Sequence, residues 1–348
     1  MVGAGQAGLA AGYHLSRRGS DVLILDAADS VGDSWRARWD SLRLFTPAGF
    51  NSMPGMPFPG PASAHRTKDA MADHLARYAE HFALPVLLGV RVRRAWRDGE
   101  TFVVDTNQGR WRAGALIVAT GAHQTPAIPD FAAELDTGVT QSHVGDYRRP
   151  SQLPAGPVLV VGAGNSGAEV ALDLATEPNA AREVHLAGRE VGHIPQLGPW
   201  TFQILQRAGR AGATLAQRGL RGRGDPLGRI RPGQLHAAGV QRHPRVVGVR
   251  DGLPLLDDGR SIEVASVIWC TGFRADYSWL DLDAAVDTHG RLRHRGGVLQ
   301  DQPRLYAVGL PYQRSIASHL VGGVGADARY VVNHLLTRHA RRLGTSVR

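Results

Sequence analysis

The chain has 348 residues, 43% of them hydrophobic, and carries a formal net charge of +9 at pH 7. This length and composition indicate a globular protein with two domains and exclude a largely disordered chain. The longest apolar runs, such as residues 115–119, are far shorter than the roughly 18 residues of a membrane-spanning helix. No basic segment precedes the apolar N terminus, as it would in a signal peptide. We therefore expect a cytoplasmic protein without a membrane span.

The positive charge comes almost entirely from arginine, since Lys68 is the only lysine. A denser stretch of arginines over residues 207–231 suits a solvated helix face, which we favour, or a docking surface for an anionic lipid or an acidic partner. No platform of aromatic and basic residues accompanies it, so a nucleic-acid partner is not expected.

Cys270 is the only cysteine of the sequence. A redox-active Cys-x-x-Cys pair, disulfide reduction through such a pair and a cysteine metal cluster are therefore excluded. Cys270 follows the apolar run 267–269, so we expect a buried, inert thiol. No metal site is expected.

A glycine fingerprint opens the chain. In such a turn between strand and helix, the first glycine permits the tight bend, the second lets a diphosphate approach the backbone, and the third lets the helix pack on the strand. A helix over 9–18 and a strand over 22–25 follow, and the strand ends at Asp26, which can accept hydrogen bonds from a ribose diol. This pattern predicts an FAD or NAD site. The fingerprint residues are Gly3, Gly5, Gln6, Ala7 and Gly8.

The first strand is unusually short, because only Met1 and Val2 precede Gly3. A central parallel strand normally has about five or six residues. We expect that translation starts a few codons upstream; the alternative is a stunted strand and a weakened flavin site.

A long connection follows Asp26, with a proline-rich loop at 47–61 that indicates a functional role. Thr67 then caps a helix whose apolar stripe, including Met71, Leu75 and Tyr78, belongs to the core. Short alternating strands between 86 and 111 form a β-meander. They lead to a buried strand at 116–119, which ends at Thr120 and Gly121.

A second fingerprint lies near the middle of the chain, after a buried strand at 158–161 and before a helix over 169–175. This is the context that the motif requires, so the second dinucleotide site is a strong prediction. Its residues are Gly162, Gly164, Asn165, Ser166 and Gly167.

The two units differ at the position that contacts the adenosine ribose. In the second unit the strand at 184–187 is followed by Gly188 and Arg189, where the first unit has Asp26. A carboxylate would repel a 2′-phosphate, whereas a guanidinium would bind it through charge-assisted hydrogen bonds of about 1.5–3 kcal/mol. The second site is therefore predicted to select NADPH; the alternative is a solvated arginine.

The second unit repeats the plan of the first, which indicates an internal duplication. Strands at 246–249 and 261–264 precede a buried strand at 267–270, which ends at Thr271 and Gly272. A final strand at 305–309 ends at Gly309, and Gly323 lies just before a closing helix over 326–343. A helix N terminus there would stabilise the charge on reduced flavin, unless the glycines only start the helix.

Together these elements predict an α/β fold of two Rossmann-like dinucleotide-binding domains of the three-layer ββα type, the second inserted into the first. The expected FAD-binding domain comprises residues 1–150 and 297–348. The expected NADPH-binding domain comprises residues 151–296. A separate C-terminal appendage is disfavoured, because about fifty residues rarely bury enough surface alone.

The ordered set of motifs resembles the flavin-containing monooxygenase superfamily, most closely its class B-like bacterial members, often described as flavoproteins involved in potassium transport. The resemblance covers nearly the whole chain. It implies that NADPH reduces FAD, that the flavin captures O₂ as a C4a-(hydro)peroxyflavin, and that one oxygen atom passes to a small organic substrate. The motifs are the two fingerprints, residues 32–35 and 41–47, and the strand ends at 119–121 and 271–273.

The resemblance carries over unevenly to individual residues. Gly32, Ser34 and Trp35 match the segment that lies beside the flavin, although Trp35 could equally be core. Phe45 stands where better-studied members have an asparagine that bonds the flavin peroxide, and Thr46 or Asn51 is the candidate substitute.

The linker signature of the family is degraded here, but His143 matches its end and either contacts the nicotinamide or forms a hinge. Trp35, Thr46 and His143 are thus the catalytic candidates. Gly309 is followed by Leu310, where many flavoproteins have an aspartate that binds the ribityl chain.

Two alternatives to a monooxygenase stay open at this point. One is an NADPH-dependent reductase of quinones or of a partner protein, in agreement with the missing asparagine. The other is a non-catalytic flavin and NADPH sensor that regulates an ion transporter through the 207–231 stretch. The substrate pocket would come from the proline loop and residues 200–205. The sequence leaves the oligomeric state open, a homo-oligomer included.

Overall fold

A computed structural model of the protein describes residues 1–178, 182–193 and 226–345. The arginine-rich stretch up to residue 225 and the expected pocket segment 200–205 lie outside the described residues. The described helices are α1 (Gln6–Ser16), α2 (Asp33–Arg36), α3 (Lys68–His81), α4 (Asn165–Ala175), α5 (Pro232–Ala237) and α6 (Val321–Thr345), with 3₁₀ turns at Asp130–Glu134 and Pro150–Gln152. The described strands are β1 (Ile24–Leu25), β2 (Val86–Leu87), β3 (Val92–Asp98), β4 (Thr101–Thr106), β5 (Gly109–Ala113), β6 (Leu116–Val118), β7 (Thr125–Pro126), β8 (Thr140–His143), β9 (Val158–Val161), β10 (Val184–Ala187), β11 (Gln241–His243), β12 (Val246–Arg250), β13 (Leu253–Leu256), β14 (Ser266–Trp269), β15 (Phe273–Arg274), β16 (Leu280–Asp281), β17 (His294–Arg295), β18 (Val298–Leu299) and β19 (Leu305–Ala307).

The first sheet is held together at its centre by a single residue. Val2 bridges Leu25 of β1 on one side and Val118 of β6 on the other, both in parallel. Beyond these neighbours, β2 pairs with β1, and β19, β18 and β17 follow β6. The N–H of Val2 donates to the carbonyl of Ile117 at 3.0 Å, and that of Gly3 to the carbonyl of Leu25 at 2.8 Å. The short first strand therefore still joins the two halves of its sheet.

The second sheet is parallel throughout, in the order β11-β10-β9-β14-β8. Every residue of β9, β10 and β14 is buried. Central strands covered by helices on both faces read as continuous apolar runs, which is why the sequence located them correctly. The expected fold of two Rossmann-like domains is confirmed by this sheet, by the first one and by the likeness to solved structures given below.

Two strand pairings reach across the expected domain boundaries, which stay predictions. β8 pairs with β14, so the second sheet already includes residues before 151. At the other end, β16 pairs with β3, so a strand before residue 297 adds to the sheet of β3, β4 and β5, and β18 pairs with β19. β8 is a short edge strand with the polar sequence TQSH, which gives no apolar signal from which its place could be predicted.

One predicted strand is wrong. The partner of β12 is β13, Leu253–Leu256, whereas residues 261–264 contribute only a bridge from Ser261 to Leu255. Asp251 and Gly252 both have positive φ, 51° and 76°, so the chain reverses in a two-residue turn and pairs at once.

The predicted helix after Thr67 is confirmed. The Thr67 hydroxyl accepts a hydrogen bond from the N–H of Ala70, and Met71, Leu75 and Tyr78 are fully buried. Cys270 packs against the same large core, and burial raises the pKa of its thiol. No helix in the described part of the chain is long and apolar enough to cross a membrane.

Candidate functional site

The three glycines of the first fingerprint serve two different purposes. A Cβ at Gly3, where φ is +106°, would lie 2.5 Å from the carbonyl oxygen of Ala119, and one at Gly8 would overlap the carbonyl oxygen of Gly3. A Cβ at Gly5 would meet no protein atom within 4 Å. Gly3 and Gly8 therefore allow the turn to close, and Gly5 leaves the open space that a diphosphate needs at the N terminus of α1.

Asp26 lies at the end of β1 and is bonded into this turn. One carboxylate oxygen accepts the N–H of Ala4 at 2.5 Å, and the other accepts the N–H of Ala28 at 2.8 Å. These bonds fix the carboxylate beside the fingerprint and leave lone pairs for a ribose diol. Gln6 and Ala7 form the first turn of α1, and a Cβ at Gly309 would lie 2.5 Å from that of Ala7. The end of the last strand thus passes directly beside the first fingerprint.

The second fingerprint repeats this geometry. A Cβ at Gly162 would overlap the carbonyl oxygen of Cys270, and one at Gly167 would overlap that of Gly162. A Cβ at Gly164 would again meet nothing within 4 Å. The open position therefore recurs at the N terminus of α4, where Ser166 is half-buried in the first turn.

Asn165 holds a neighbouring segment with its side chain. Its amide nitrogen donates to the carbonyl of Pro226 at 3.2 Å, and its amide oxygen accepts the N–H of Gly228 at 2.9 Å. The residue after Gly228 is also anchored, because Arg229 pairs at 3.2 Å with buried Glu169 of α4. Asn165 thus fixes the backbone that lies over the start of this helix.

The ribose position of the second unit has no acidic side chain. A Cβ at Gly188, where φ is +151°, would lie 2.7 Å from the nitrogen of Ala163, the counterpart of Ala4. Arg189 is exposed beside it. Arg242 of β11 reaches the same place and donates to the carbonyls of Leu186 and Gly188, both at 3.3 Å. Sequence reasoning missed Arg242, because only the pairing of β11 with β10 brings it to this edge.

The segment expected beside the flavin forms α2. Gly32 begins it with φ +95°, and a Cβ there would lie 2.7 Å from the carbonyl oxygen of Ala72 in α3. Trp35 packs partly buried against the main core, and Ser34 is exposed. The packing of Trp35 favours its reading as core.

Thr46 and Asn51 bond to each other. The Thr46 hydroxyl donates to the Asn51 amide oxygen at 2.6 Å, and the Asn51 amide nitrogen donates to the Thr46 carbonyl at 3.0 Å. Both side chains are buried, whereas Phe45 is 40% exposed and lies against Gly228. The two candidate substitutes for the family asparagine are therefore engaged in a closed pair.

The two connections between the domains form one β-ribbon, in which β7 pairs with β15. The Thr271 hydroxyl donates to the carbonyl of Ala127 at 2.6 Å, and the Ala127 N–H donates to the carbonyl of Gly272 at 3.0 Å. At the other end, the Gln124 amide donates to the hydroxyl of Thr120 and to the carbonyl of Gly121. The structure thus gathers Thr120, Gly121, Thr271 and Gly272 at one crossing point.

Both ring nitrogens of His143 are hydrogen-bonded, and one of them bonds to this crossing. Its Nδ1 accepts the N–H of Gly145 at 3.1 Å, so Nε2 carries the proton and donates to the carbonyl of Gly272 at 2.9 Å. Burial lowers the pKa of His143, which keeps the ring neutral. These contacts favour the hinge reading of His143 over a nicotinamide contact.

Gly323 has a packing role. A Cβ there would overlap the carbonyl oxygen of Ala317, and its N–H donates to the carbonyl of Leu320 at 2.9 Å. That N–H is therefore engaged within the turn that begins α6. The contacts favour the reading of a glycine-rich helix start.

Comparison with known proteins agrees with this architecture. Residues 1–216 match the pyridine nucleotide-disulphide oxidoreductase family. The chain is 39% identical to an uncharacterized CzcO-like oxidoreductase from Geobacillus kaustophilus, over 97% of each chain, and 29% identical to rice indole-3-pyruvate monooxygenase YUCCA1, over 80% and 78%.

Among solved structures, the fold matches a flavin-containing monooxygenase from Stenotrophomonas maltophilia with a TM-score of 0.79 at 28% identity, over 97% of each chain. The expected resemblance to flavin monooxygenases, and an enzyme of that kind, are confirmed. The chain thus belongs to the pyridine nucleotide-disulphide oxidoreductase family and is a flavoprotein oxidoreductase related to the flavin monooxygenases.

Proposed function

We propose that the protein is an NADPH-dependent FAD monooxygenase that transfers one oxygen atom from O₂ to a small organic substrate. One observation carries this proposal. The same chain presents two turns of equal geometry, each with an open middle glycine, but only the first has a carboxylate at the ribose position. Asp26 suits the unphosphorylated ribose of FAD, and the arginines around Gly188 suit the 2′-phosphate of NADPH.

The residues present fit both cofactors. Gly5 and the N terminus of α1 would hold the FAD diphosphate, and Gly164 and the N terminus of α4 that of NADPH. When bound, FAD supplies hydride acceptance and reaction with O₂, which no side chain can provide. The task of the chain is to bind the two nucleotides on separate domains and to hold their reactive ends together across the ribbon of β7 and β15.

A second function is favoured by a specific contact. Because Thr46 and Asn51 bond each other and Phe45 occupies the place of the family asparagine, the amide that protects the oxygenated flavin in relatives has no counterpart there. A reductase that passes electrons to a quinone or a partner protein would not need it. Such a reductase could not reduce disulfides through a cysteine pair of its own, since Cys270 is the only cysteine of the sequence.

Rapid mixing separates the two functions. The FAD-loaded protein is reduced anaerobically with NADPH, mixed with oxygenated buffer and followed by absorbance. A monooxygenase is expected to show a transient species that differs from both oxidised and reduced flavin. Direct return to oxidised flavin, together with fast reoxidation by a quinone, would reject the monooxygenase and support the reductase.

A Gly5→Ala preparation provides the control for this experiment. It should bind FAD at least tenfold more weakly and show a correspondingly smaller flavin signal in the same mixing. NADH replaces NADPH in a parallel run, and a similar reduction rate with NADH would contradict NADPH dependence.

A further inference from the structure

A guanidinium without an acidic partner lies at the junction of the two domains. Arg38 follows α2 in the first domain, and its Cζ lies 5.2 Å from the ring centre of Phe273 in β15. Among the described residues, no carboxylate lies within ion-pair distance of Arg38. By contrast, half-buried Arg229 and Arg314 each pair with a buried carboxylate.

The described groups around Arg38 are aromatic rings and a second guanidinium. The ring of Phe273 is flanked edge-on by His143 at 4.7 Å and His123 at 5.3 Å. Burial lowers the pKa of Arg38, and the charge of Arg148 lowers it further. The Arg148 guanidinium itself donates to the carbonyls of Gly145 and Tyr147 rather than to an acid. A partly desolvated cation in such a place gains free energy from a bound anion.

The anionic groups of the two nucleotides have other binding sites. Under the proposed function, the diphosphates bind at the open glycines at the starts of α1 and α4, and the 2′-phosphate at the edge around Gly188. Arg38 lies at neither turn but against Phe273 of the ribbon that connects the two domains, across which the proposed function brings the reactive ends of the two nucleotides together. By elimination, an anion bound beside Arg38 would belong to the substrate.

We infer that Arg38 is a substrate-binding residue and that the substrate carries a carboxylate. This inference rests on the proposed function, since it names the substrate class of the same site. A planar guanidinium bonds a carboxylate through two parallel N–H groups, and the face of Phe273 holds the cation at the domain junction.

The test compares matched ligands on the oxidised, FAD-loaded protein. Phenylpyruvate is paired with phenylacetone, and benzoate with benzamide, so that each pair differs in the carboxylate. Dissociation constants are read from the change in the flavin spectrum. At least one carboxylate should bind about ten- to a hundredfold more tightly than its neutral partner. Arg38→Gln should remove this preference and leave NADPH affinity unchanged.

Two further variants make the result decisive. Arg38→Lys should keep a reduced preference, because the charge remains while the paired donors are lost. Arg43→Gln is the matched control, since this exposed arginine donates to the carbonyl of His65 and should leave all constants unchanged. The inference is overturned if no carboxylate is preferred, if Arg38→Gln keeps the preference, or if it weakens NADPH binding instead. Binding is measured without O₂, so the outcome is separate from that of the oxygen-mixing experiment.

Discussion

Gly5 and Gly8 belong to one turn but respond oppositely to an added methyl group. The space at Gly5 is empty of protein atoms, and its φ of −71° suits any residue. At Gly8 the same atom would overlap a backbone oxygen that cannot move without opening the turn. The sequence motif predicts glycine at both positions, but only the structure shows that one serves the ligand and the other the fold.

Alanine substitutions therefore separate folding from cofactor binding. Gly5→Ala should leave the melting temperature of flavin-free protein within about 1–2 °C while weakening FAD at least tenfold, since the methyl group occupies the diphosphate space. Gly8→Ala should cost about 1–3 kcal/mol or more of folding free energy through overpacking. Thermal unfolding and flavin content after FAD titration measure both effects. Equal loss of stability in the two variants would contradict this division.

The arginines around Gly188 are predicted to distinguish NADPH from NADH. Arg189→Ala and Arg242→Ala should each weaken NADPH about ten- to a hundredfold and change NADH affinity less than about twofold, because only NADPH has the 2′-phosphate. Titration of both nucleotides measures this. Arg250→Ala is the control, because the Arg250 guanidinium donates to the carbonyl of Gly259, just after β13, rather than to that of Gly188. If NADH weakens as much as NADPH, neither arginine binds the 2′-phosphate.

These two arginines also show the limit of sequence reasoning at the residue scale. Arg189 lies two residues after the end of β10, next to the position where the motif places the residue that contacts the ribose, so the sequence alone indicates it. Arg242 reaches Gly188 only because β11 lies parallel to β10, and the intervening chain carries no motif that predicts this pairing. Arg38 was missed for the same reason, because its neighbour Phe273 comes from the distant β15.

At the scale of elements, apolar strands and capped helices were predictable, and short polar strands were not. β9 and β14 were located from continuous buried runs. β8 has only edge positions and polar side chains, so its sequence resembles a loop. Strands of two residues, such as β7 and β15, have too few positions to show a period.

Helix α3 contains a buried histidine that makes stability depend on pH. His74 packs against Phe58 with ring centres 4.5 Å apart, and its Nε2 has no hydrogen-bond partner in the described structure. Burial, and then the charge of Arg77, lower its pKa from 6.5 to about 4. The fold favours the neutral ring. The free energy of unfolding that this preference adds is therefore present in full above pH 6.5 and is lost as the pH falls toward 4. At about 1.4 kcal/mol per pH unit this amounts to roughly 3 kcal/mol.

His74→Phe should remove that part of the acid sensitivity. Urea unfolding between pH 7 and pH 4 is expected to give a shallower decline of the unfolding free energy than in the natural chain. His81→Phe, at the exposed end of the same helix, is the control and should leave the decline unchanged. Parallel declines in all three proteins would show that His74 is not the sensitive group.

At the level of the whole molecule, the ribbon of β7 and β15 connects the two domains, each of which carries one glycine fingerprint. Thr271 and Gly272 leave the second domain there, Thr120 and Gly121 leave the first, and His143 bonds to the crossing through Nε2. The motif order predicted an inserted domain, but not that the outgoing and returning chains pair. Such pairing is a long-range contact between short segments, and each of them alone reads as a loop.

Loosening this ribbon should slow electron transfer without emptying either site. Thr271→Val removes the 2.6 Å bond to Ala127 and keeps the shape of the side chain. Since a misplacement of about 1 Å can cost on the order of a hundredfold in rate, anaerobic reduction of the flavin by NADPH should slow at least tenfold, with FAD content and NADPH affinity unchanged. Thr176→Val removes an equally short bond, 2.7 Å to Leu172 at the end of α4, and should not alter the rate. An unchanged rate in Thr271→Val would mean that the nicotinamide and flavin are aligned by the nucleotide sites themselves rather than by the connection between their domains.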